Sequence, residues 1–208
     1  MFLSAIAWMW SSRAWSGFLP KRWAKRFCGC RYSSIGTGLR IFSTWVTSPC
    51  SNSGVSALDL GDFDADGRPD CSFKGGLPGF VRVLDARTLA FPSYDGNGMY
   101  RSLGNVSVNP AVGLLFIDFE QPRRLRVVGA ASIDENDPLI ADIEGAQLVV
   151  RVRAERIFPN CPRYIHRMQR LEMSPYAPCE GKVPPVPKWK RYPEFREVLP
   201  AGDPARED

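Results

Sequence analysis

The sequence predicts a mainly β protein whose strands form an antiparallel barrel that is closed or nearly closed. Six or so short runs of alternating or β-branched residues follow one another at close spacing, with Gly, Pro, Asn and Asp clustered between them. This pattern is typical of strands joined by tight turns. No alternation of strands with long helical segments occurs, and no Gly-x-Gly-x-x-Gly follows a strand, which argues against a doubly wound dinucleotide-binding fold.

The first part of the predicted barrel consists of short strands separated by turns. Asp62–Asp70 contains Asp-Gly followed by Pro between two extended runs, which predicts a turn. Strands are predicted at Cys71–Lys74, Phe80–Leu84 and Thr88–Pro92, with a turn at Asp85–Arg87 and a loop at Tyr94–Gly98. Gly54–Gly61 is poorly patterned, so the strand that should open the barrel before Asp64 is not predicted.

The second part contains the longer elements. Met99–Val106 is predicted as a short helix, and Ala111–Phe119 is apolar on both faces, as expected for a central strand. Arg124–Ile133 and Gly145–Phe158 alternate apolar with basic residues, which predicts two strands with one buried face each. Beyond these strands the chain becomes rich in proline, with Trp189 as its one large apolar anchor.

Composition divides the chain into an atypical segment at 1–60, a barrel domain at 61–200 and a tail at 201–208 that we expect to fray. Residues 1–58 contain seven Lys and Arg but no Asp or Glu, and the first 60 residues hold five of the six tryptophans. Three interpretations of this segment remain open. It is a targeting segment, an interfacial membrane anchor centred on Lys21–Phe27, or a disordered segment that is not native coding sequence.

The net charge of +5 does not indicate nucleic-acid binding, because residues 59–208 contain 20 basic and 22 acidic residues. The six cysteines form no Cys-x-x-Cys pair and His166 is the only histidine, which disfavours a zinc site. Their scattered spacing favours reduced thiols in a cytoplasmic protein, with Cys71 and Cys161 expected to be buried. The apolar run at Met1–Trp10 is too short to span a bilayer, so we expect no membrane-spanning segment and assign no membrane partner.

The turn at Asp62–Asp70 also matches the start of a calcium-binding loop. Aspartates occupy alternate positions and glycine occupies the sixth, as such loops require. However, the twelfth position, where a bidentate Glu is needed, is Phe73, and the short form of the motif occurs once instead of in tandem. A calcium-binding module at Asp62–Asp70 therefore remains the weaker alternative, and no metal ligands are assigned.

A series of motifs from about Asp64 to Pro200 gives a more specific indication. They are Asp66–Gly76, Pro78–Asp85, Leu89–Pro92, Asp95–Asn97, Ser102–Asn105, Asn109–Asp118, Arg124–Ala130 and Asn160–Ile165. In this order they resemble the pyridoxamine 5′-phosphate oxidase-like family of FMN-binding split β-barrels. The Arg-Leu-x-Pro type segment that ends the true pyridoxamine phosphate oxidases does not follow Trp189, so a vitamin B6 substrate is not implied.

The resemblance implies a split antiparallel β-barrel with a few short helices, and a homodimer with one FMN in each of two grooves between the subunits. It implies an FMN-dependent oxidoreductase acting on a small molecule of unassigned identity. A deazaflavin in place of FMN, and a non-enzymatic flavin or small-molecule binder on the same barrel, remain alternatives. The residues expected to bind the cofactor are Ser72, Lys74, Gly75, Asn97, Arg101, Ser102, Asn105, Arg126 and Arg163. Lys74 and Arg101 are the expected phosphate-binding cations, and no catalytic acid or base is assigned.

Overall fold

The computed structural model describes residues 55–199 and 203–206, and the interpretations of residues 1–54 lie outside this part of the chain. Seven antiparallel strands form one sheet in the order β2-β1-β5-β6-β7-β4-β3. They are β1 (Ala57–Phe63), β2 (Pro69–Gly75), β3 (Arg82–Val83), β4 (Thr88–Ser93), β5 (Ala111–Asp118), β6 (Arg123–Asp134) and β7 (Leu148–Pro159). The prediction of a mainly β, antiparallel fold with few short helices is confirmed, although the outer strands β2 and β3 do not pair and the sheet is not closed.

Strand β1 overturns the prediction that no strand precedes Asp64. Leu58, Leu60 and Asp62 alternate along it and are at most 2% exposed, whereas Asp59 is exposed. The strand pairs along its whole length with β2 and through three residues with β5. Sequence reasoning missed it because Gly and Asp have low strand propensity, and two aspartates and Gly61 interrupt the apolar pattern. The sheet therefore begins inside the segment assigned to residues 1–60.

The centre of the sheet carries most of the apolar core. Val112, Leu114 and Phe116 of β5 are at most 3% exposed, and the opposite face of this strand is partly buried, as predicted for a central strand. On β6, Leu125 and Val127 are buried between exposed or partly buried neighbours, which confirms the predicted alternation. The only α-helix of the described residues packs against β6 and against β1.

The helix α1 (Arg101–Val108) begins two residues later than predicted and packs Leu103 and Val106 into the core. Strand β3 is shorter than the predicted Phe80–Leu84, because Phe80 and Val81 turn inward as buried core residues before the strand begins. Short 3₁₀ segments lie at Pro138–Ile140, Lys188–Arg191, Pro193–Phe195 and Pro204–Arg206. In the predicted tail, the described residues Asp203 and Ala205 are buried, so the chain does not fray at these positions.

A β-bulge in the β6–β7 pair lies between Val128 and Gly129. A Cβ atom on Gly129 would lie 2.1 Å from the backbone carbonyl oxygen of Arg153, on the facing strand. Backbone cannot yield as a flexible side chain can, so glycine is required here by the close approach of the two strands. Gly113, which pairs with Val128 across β5 and β6, has no atom within 4 Å of its would-be Cβ.

We expect Gly129→Ala to lower the free energy of unfolding by at least about 2 kcal/mol, because the new methyl group must displace backbone. Gly113→Ala is the matched control in the same sheet and should change stability by no more than about 0.5 kcal/mol. Urea unfolding of both full-length variants, followed by circular dichroism, measures the difference. Equal stability of the two variants would contradict the tight approach at the bulge.

Candidate functional site

A groove runs between β2, the start of α1 and the loop at residues 93–100. Its volume is about 470 Å3. The lining residues are Asp70, Cys71, Ser72, Phe73, Lys74, Ser93, Tyr94, Gly96, Asn97, Gly98, Met99, Tyr100, Arg101, Ser102 and Leu103. This size is within the usual range for pockets that bind small molecules or cofactors. Five of the nine sequence-predicted cofactor residues therefore line one groove, and they are Ser72, Lys74, Asn97, Arg101 and Ser102.

Strand β2 contributes a cation and a hydroxyl to this groove. Because side chains alternate along a strand, Ser72 and Lys74 lie on the same face as Asp70. Lys74 is partly buried, and this burial lowers the pKa of its ammonium group, while the negative charge of Asp62 acts in the opposite direction. A partly desolvated ammonium group gains more from a bound anion than one in free solvent.

The N-terminus of α1 faces the same groove. The residue before the helix, Tyr100, has a φ of 47°, and no side chain caps the first turn, which also contains no acidic residue. The first backbone N–H groups of a helix lack partners within the helix and carry a partial positive charge. The hydroxyl oxygens of Ser102 and Ser72 are 2.9 Å apart, so the helix start is joined directly to β2. Together these groups form a site suited to an anion.

Arg101 lies at the exposed mouth of the groove and is already paired. Its Nε donates to Asp70 Oδ2 at 2.6 Å, with 69% of the Arg101 side chain exposed. This hydrogen bond, together with one from the backbone N–H of Cys71, lowers the pKa of Asp70. Arg101 is therefore ion-paired with a neighbouring carboxylate, so Lys74 is the cation of the groove that is more available to a bound anion.

Asn105 serves the interior and does not line the groove. Its Nδ2 donates to Asp62 Oδ1 at 2.6 Å, and Asp62 is fully buried. The amide thus connects α1 to β1 across the back of the groove. Asn97 lines the groove, but its Oδ1 accepts a hydrogen bond from the backbone N–H of Met99 at 3.1 Å and so shapes the loop.

Three predicted residues lie outside the groove of their own chain. Gly75 ends β2, paired with Ala57 of β1. Arg126 is exposed in the middle of β6, opposite Leu115 and Phe158 on the two neighbouring strands. Arg163 is exposed in the segment after β7.

The two cysteines expected to be buried, Cys71 and Cys161, are both exposed. Cys71 lies on β2 and is among the residues that line the groove. Hydrogen bonds from the side chain and backbone of Arg163 lower the pKa of the Cys161 thiol. The prediction failed because both strand β2 and the segment after β7 lie at the surface, where a small apolar side chain gains no burial.

The calcium-binding alternative gains no support from the geometry. Asp64 Oδ1 accepts hydrogen bonds from the backbone N–H groups of Asp66 and Arg68, and Asp66 pairs with the Arg68 side chain at 2.8 Å. Asp62 and Asp70 bind Asn105 and Arg101 instead, away from a common centre. In the part of the chain that the structure describes, no group of three or more His, Cys, Asp or Glu side chains is placed to hold a metal ion.

Sequence reasoning missed a charged cluster around a buried lysine beside the groove. Lys190 is 2% exposed, and its Nζ donates to both carboxylate oxygens of Asp95 at 2.6 and 2.7 Å and to Asp203 Oδ2 at 2.5 Å. Asp95 belongs to the loop between β4 and α1, so this ammonium group fastens the C-terminal segment to the groove. No local pattern signals a contact between residues 95 positions apart.

The hydroxyl of Tyr100 was also missed, and it donates to Gln147 Oε1 at 2.7 Å. Tyr94 is partly buried in the same loop, and this burial raises its pKa although Arg82 acts in the opposite direction. Both tyrosines occur in a loop rich in glycine, where sequence alone assigns no direction to a side chain. They complete the wall of the groove opposite β2.

Comparison with known proteins agrees with this architecture. The family model described as pyridoxamine 5′-phosphate oxidase matches residues 60–175, more than half of the chain. Among curated protein sequences, none matches this chain. In the described residues, no helix is long and apolar enough to cross a membrane.

Several solved structures are similar to part of this chain, at low sequence identity and with TM-scores below 0.5. HupZ of Group A Streptococcus, in one variant, is 19% identical over 58% of this chain and 98% of its own, with a TM-score of 0.44. A putative pyridoxamine 5′-phosphate oxidase from Lactobacillus delbrueckii is 25% identical over 50% of this chain and 84% of its own, with a TM-score of 0.40. An FMN-binding protein from Syntrophomonas wolfei is 12% identical over 59% of this chain and 88% of its own, with a TM-score of 0.40.

The Lys190 cluster predicts a large loss of stability when its cation is removed. Lys190→Met leaves the buried Asp203 carboxylate without its partner, and we expect the free energy of unfolding to fall by about 3–5 kcal/mol at pH 7. Lys188→Met, which removes an exposed lysine of the same segment, is the control and should change stability by no more than about 0.5 kcal/mol. Urea unfolding of the full-length variants measures both effects.

The loss of stability in Lys190→Met is expected to depend on pH. Burial alone would raise the pKa of Asp203, but hydrogen bonds from Lys190 and from the Ala205 backbone N–H lower it below its ordinary value. The stabilisation from this group is therefore present above about pH 4 and is lost as the pH falls through the lowered pKa. The stability difference between the wild type and Lys190→Met should shrink below about pH 4. A difference that is constant from pH 7 to pH 3 contradicts the charge pairing.

Proposed function

Because the chain belongs to the pyridoxamine 5′-phosphate oxidase family, we propose that it binds FMN in the groove beside β2 and acts as an FMN-dependent oxidoreductase on a small molecule. The observation that carries the cofactor assignment is the meeting of Lys74, the paired hydroxyls of Ser72 and Ser102, and the uncapped start of α1. The phosphate of FMN is a dianion, which requires a cation and several fixed hydrogen-bond donors.

The donor set of the groove fits such a phosphate. Partial burial lowers the pKa of the Lys74 ammonium group, and a bound dianion would favour its charged form. The hydrogen bond between Ser72 and Ser102 uses one hydroxyl proton, so the other hydroxyl proton is available to a ligand. Charge-assisted hydrogen bonds contribute about 1.5–3 kcal/mol each, which makes Lys74 the largest single contributor we expect.

The residues of the chain bind and orient the cofactor on this proposal. FMN itself supplies the redox chemistry, accepting a hydride from one substrate and passing electrons to another. Arg101 holds the mouth of the groove and Asp70 keeps it in place, while Asn105 and Asp62 fix the position of α1 behind the phosphate. No side chain of the described residues is assigned a proton-transfer role.

A homodimer with the cofactor between the subunits is part of the proposal. Arg126 and Arg163 do not line the groove of their own chain, and both are exposed. In the proposed dimer these two arginines face the cofactor of the partner subunit. This position would explain why Arg126 is an exposed cation in the middle of a strand. A cytoplasmic location, expected from the scattered spacing of the cysteines, is also part of the proposal.

FMN binding by the purified full-length protein tests the cofactor. We expect a yellow protein with a flavin spectrum, and a dissociation constant at least about tenfold larger for Lys74→Gln, because a charge-assisted bond is lost. Lys182→Gln, at an exposed position away from the groove, is the matched control and should bind FMN like the wild type. Fluorescence titration of apoprotein with FMN, and in parallel with a deazaflavin, gives the constants and shows which cofactor binds more tightly. Equal affinity of the two lysine variants would remove Lys74 from the site.

Reduction of the bound flavin separates an oxidoreductase from a flavin-binding protein without turnover. Under anaerobic conditions, we expect NADPH or NADH to bleach the visible absorbance of the flavin, with recovery in air. The Lys74→Gln variant, loaded at saturating FMN, should retain this reaction, because Lys74 binds the phosphate and not the reacting ring. A flavin that stays oxidised with both nucleotides supports the non-enzymatic binder in place of the enzyme.

A further inference from the structure

A second cavity, of about 600 Å3, lies beside the cofactor groove and has a different chemical character. One wall is the proline-rich segment before Lys190, where Pro184, Pro185 and Pro187 face the cavity together with Trp189. Pro178 and Tyr176 continue this wall from the preceding part of the chain. The opposite wall is the loop between β4 and α1.

The proline-rich wall offers almost no hydrogen-bond donors. Proline has no backbone N–H, so a ligand meets ring carbons and carbonyl oxygens along this side. The ring of Trp189 is fixed by an edge contact with Phe195, at a centroid distance of 5.5 Å and an interplanar angle of 87°. Tyr176, with 52% of its surface exposed, adds a second aromatic face. Such walls favour a planar apolar molecule.

The charges of the cavity disfavour an anion. Its charged lining residues are Lys190, Asp95 and Asp203, which together carry a net charge of −1. The single cation is bound by both carboxylates at 2.5–2.7 Å, so it has no charge left for a ligand. A phosphate ester in this cavity would therefore contact two carboxylates, a cation that is already paired with both of them, and few hydrogen-bond donors. The groove that contains Lys74 has the opposite charge character.

The two cavities share one loop. Tyr94, Gly96 and Asn97 line both of them. The buried ammonium group of Lys190 binds Asp95 within this loop and thereby holds the proline-rich wall against it. A molecule in the second cavity thus lies next to the groove that holds the cofactor in the proposed function.

We propose that this second cavity is the substrate subsite and that it binds an uncharged, planar aromatic molecule and not a phosphate ester. The proposal rests on the proposed FMN-dependent function for its role in a reaction. The existence of the aromatic binding site itself rests only on the cavity and its lining. The substrate class that follows differs from a phosphorylated pyridoxine vitamer, whose negative charge the cavity would repel.

The test uses full-length protein saturated with FMN and the uncharged fluorescent probe N-phenyl-1-naphthylamine. We expect saturable binding with increased probe fluorescence, and a change in the flavin absorbance with the same dissociation constant. In competition, 2-naphthol should displace the probe at concentrations at least about tenfold lower than 2-naphthyl phosphate, which differs only by the charged group. Tyr176→Ala should weaken probe binding about threefold or more, because one aromatic wall is lost.

Tyr192→Ala is the matched control, because Tyr192 lies in the same C-terminal part of the chain, is 51% exposed and does not line the cavity. It should bind the probe like the wild type, and FMN occupancy of both variants reports that they are folded. Failure to bind FMN overturns the proposed function, and saturable binding of the probe then tests the aromatic site by itself. With FMN bound, three results overturn the inference: no saturable probe binding, tighter binding of the phosphate ester, or equal effects of the two tyrosine variants. Probe binding that leaves the flavin absorbance unchanged overturns the assignment as a substrate subsite.

Discussion

The hydrogen bond from Asn105 to the buried carboxylate of Asp62 determines how the groove is built. Asp62 is the last inward-facing residue of β1, and Asn105 lies one turn into α1, so the bond fixes the helix against the strand. The carboxylate is completely removed from solvent, and its second oxygen has no hydrogen-bond partner among the described residues. A buried charge of this kind is tolerated only when a hydrogen bond and a nearby cation compensate it. Asn105 provides the first and Lys74 the second.

This arrangement explains why the groove can be positive although the strands around it are rich in aspartate. Asp62 faces inward behind the helix, Asp70 is bound by Arg101, and Asp95 is bound by Lys190. Each carboxylate near the site thus has a partner within the chain. Lys74, which also interacts with the charge of Asp62, lines the groove together with the start of α1, so both can face a ligand. The same distribution of charge separates the two cavities. The groove beside β2 suits a phosphate, and the proline-lined cavity suits an apolar molecule.

Much of the fold was predictable because it depends on local signals. Alternation on β6, apolar residues on both faces of β5 and the turn residues between strands each report their own structure within a few positions. The failures occurred where a local signal is weak or tertiary packing overrides it. Strand β1 contains two aspartates and a glycine, yet its pairing with both β2 and β5 holds it in the sheet. Cysteine is a residue type that is often buried in the core, but Cys71 and Cys161 lie at the surface.

For the candidate site, local sequence patterns were enough to predict the antiparallel architecture, the family resemblance and the set of polar residues from which a cofactor site can be drawn. Which of these residues converge depends on the folded chain. It joined Ser72 to Ser102, directed Asn105 to the interior and left Arg126 and Arg163 outside the groove of their own chain. It also brought Lys190 to Asp95, on which the second cavity depends. The reason is physical: alternation and propensity are properties of neighbouring residues, whereas the pairing of charges depends on distances between parts of the chain that only the complete fold brings together.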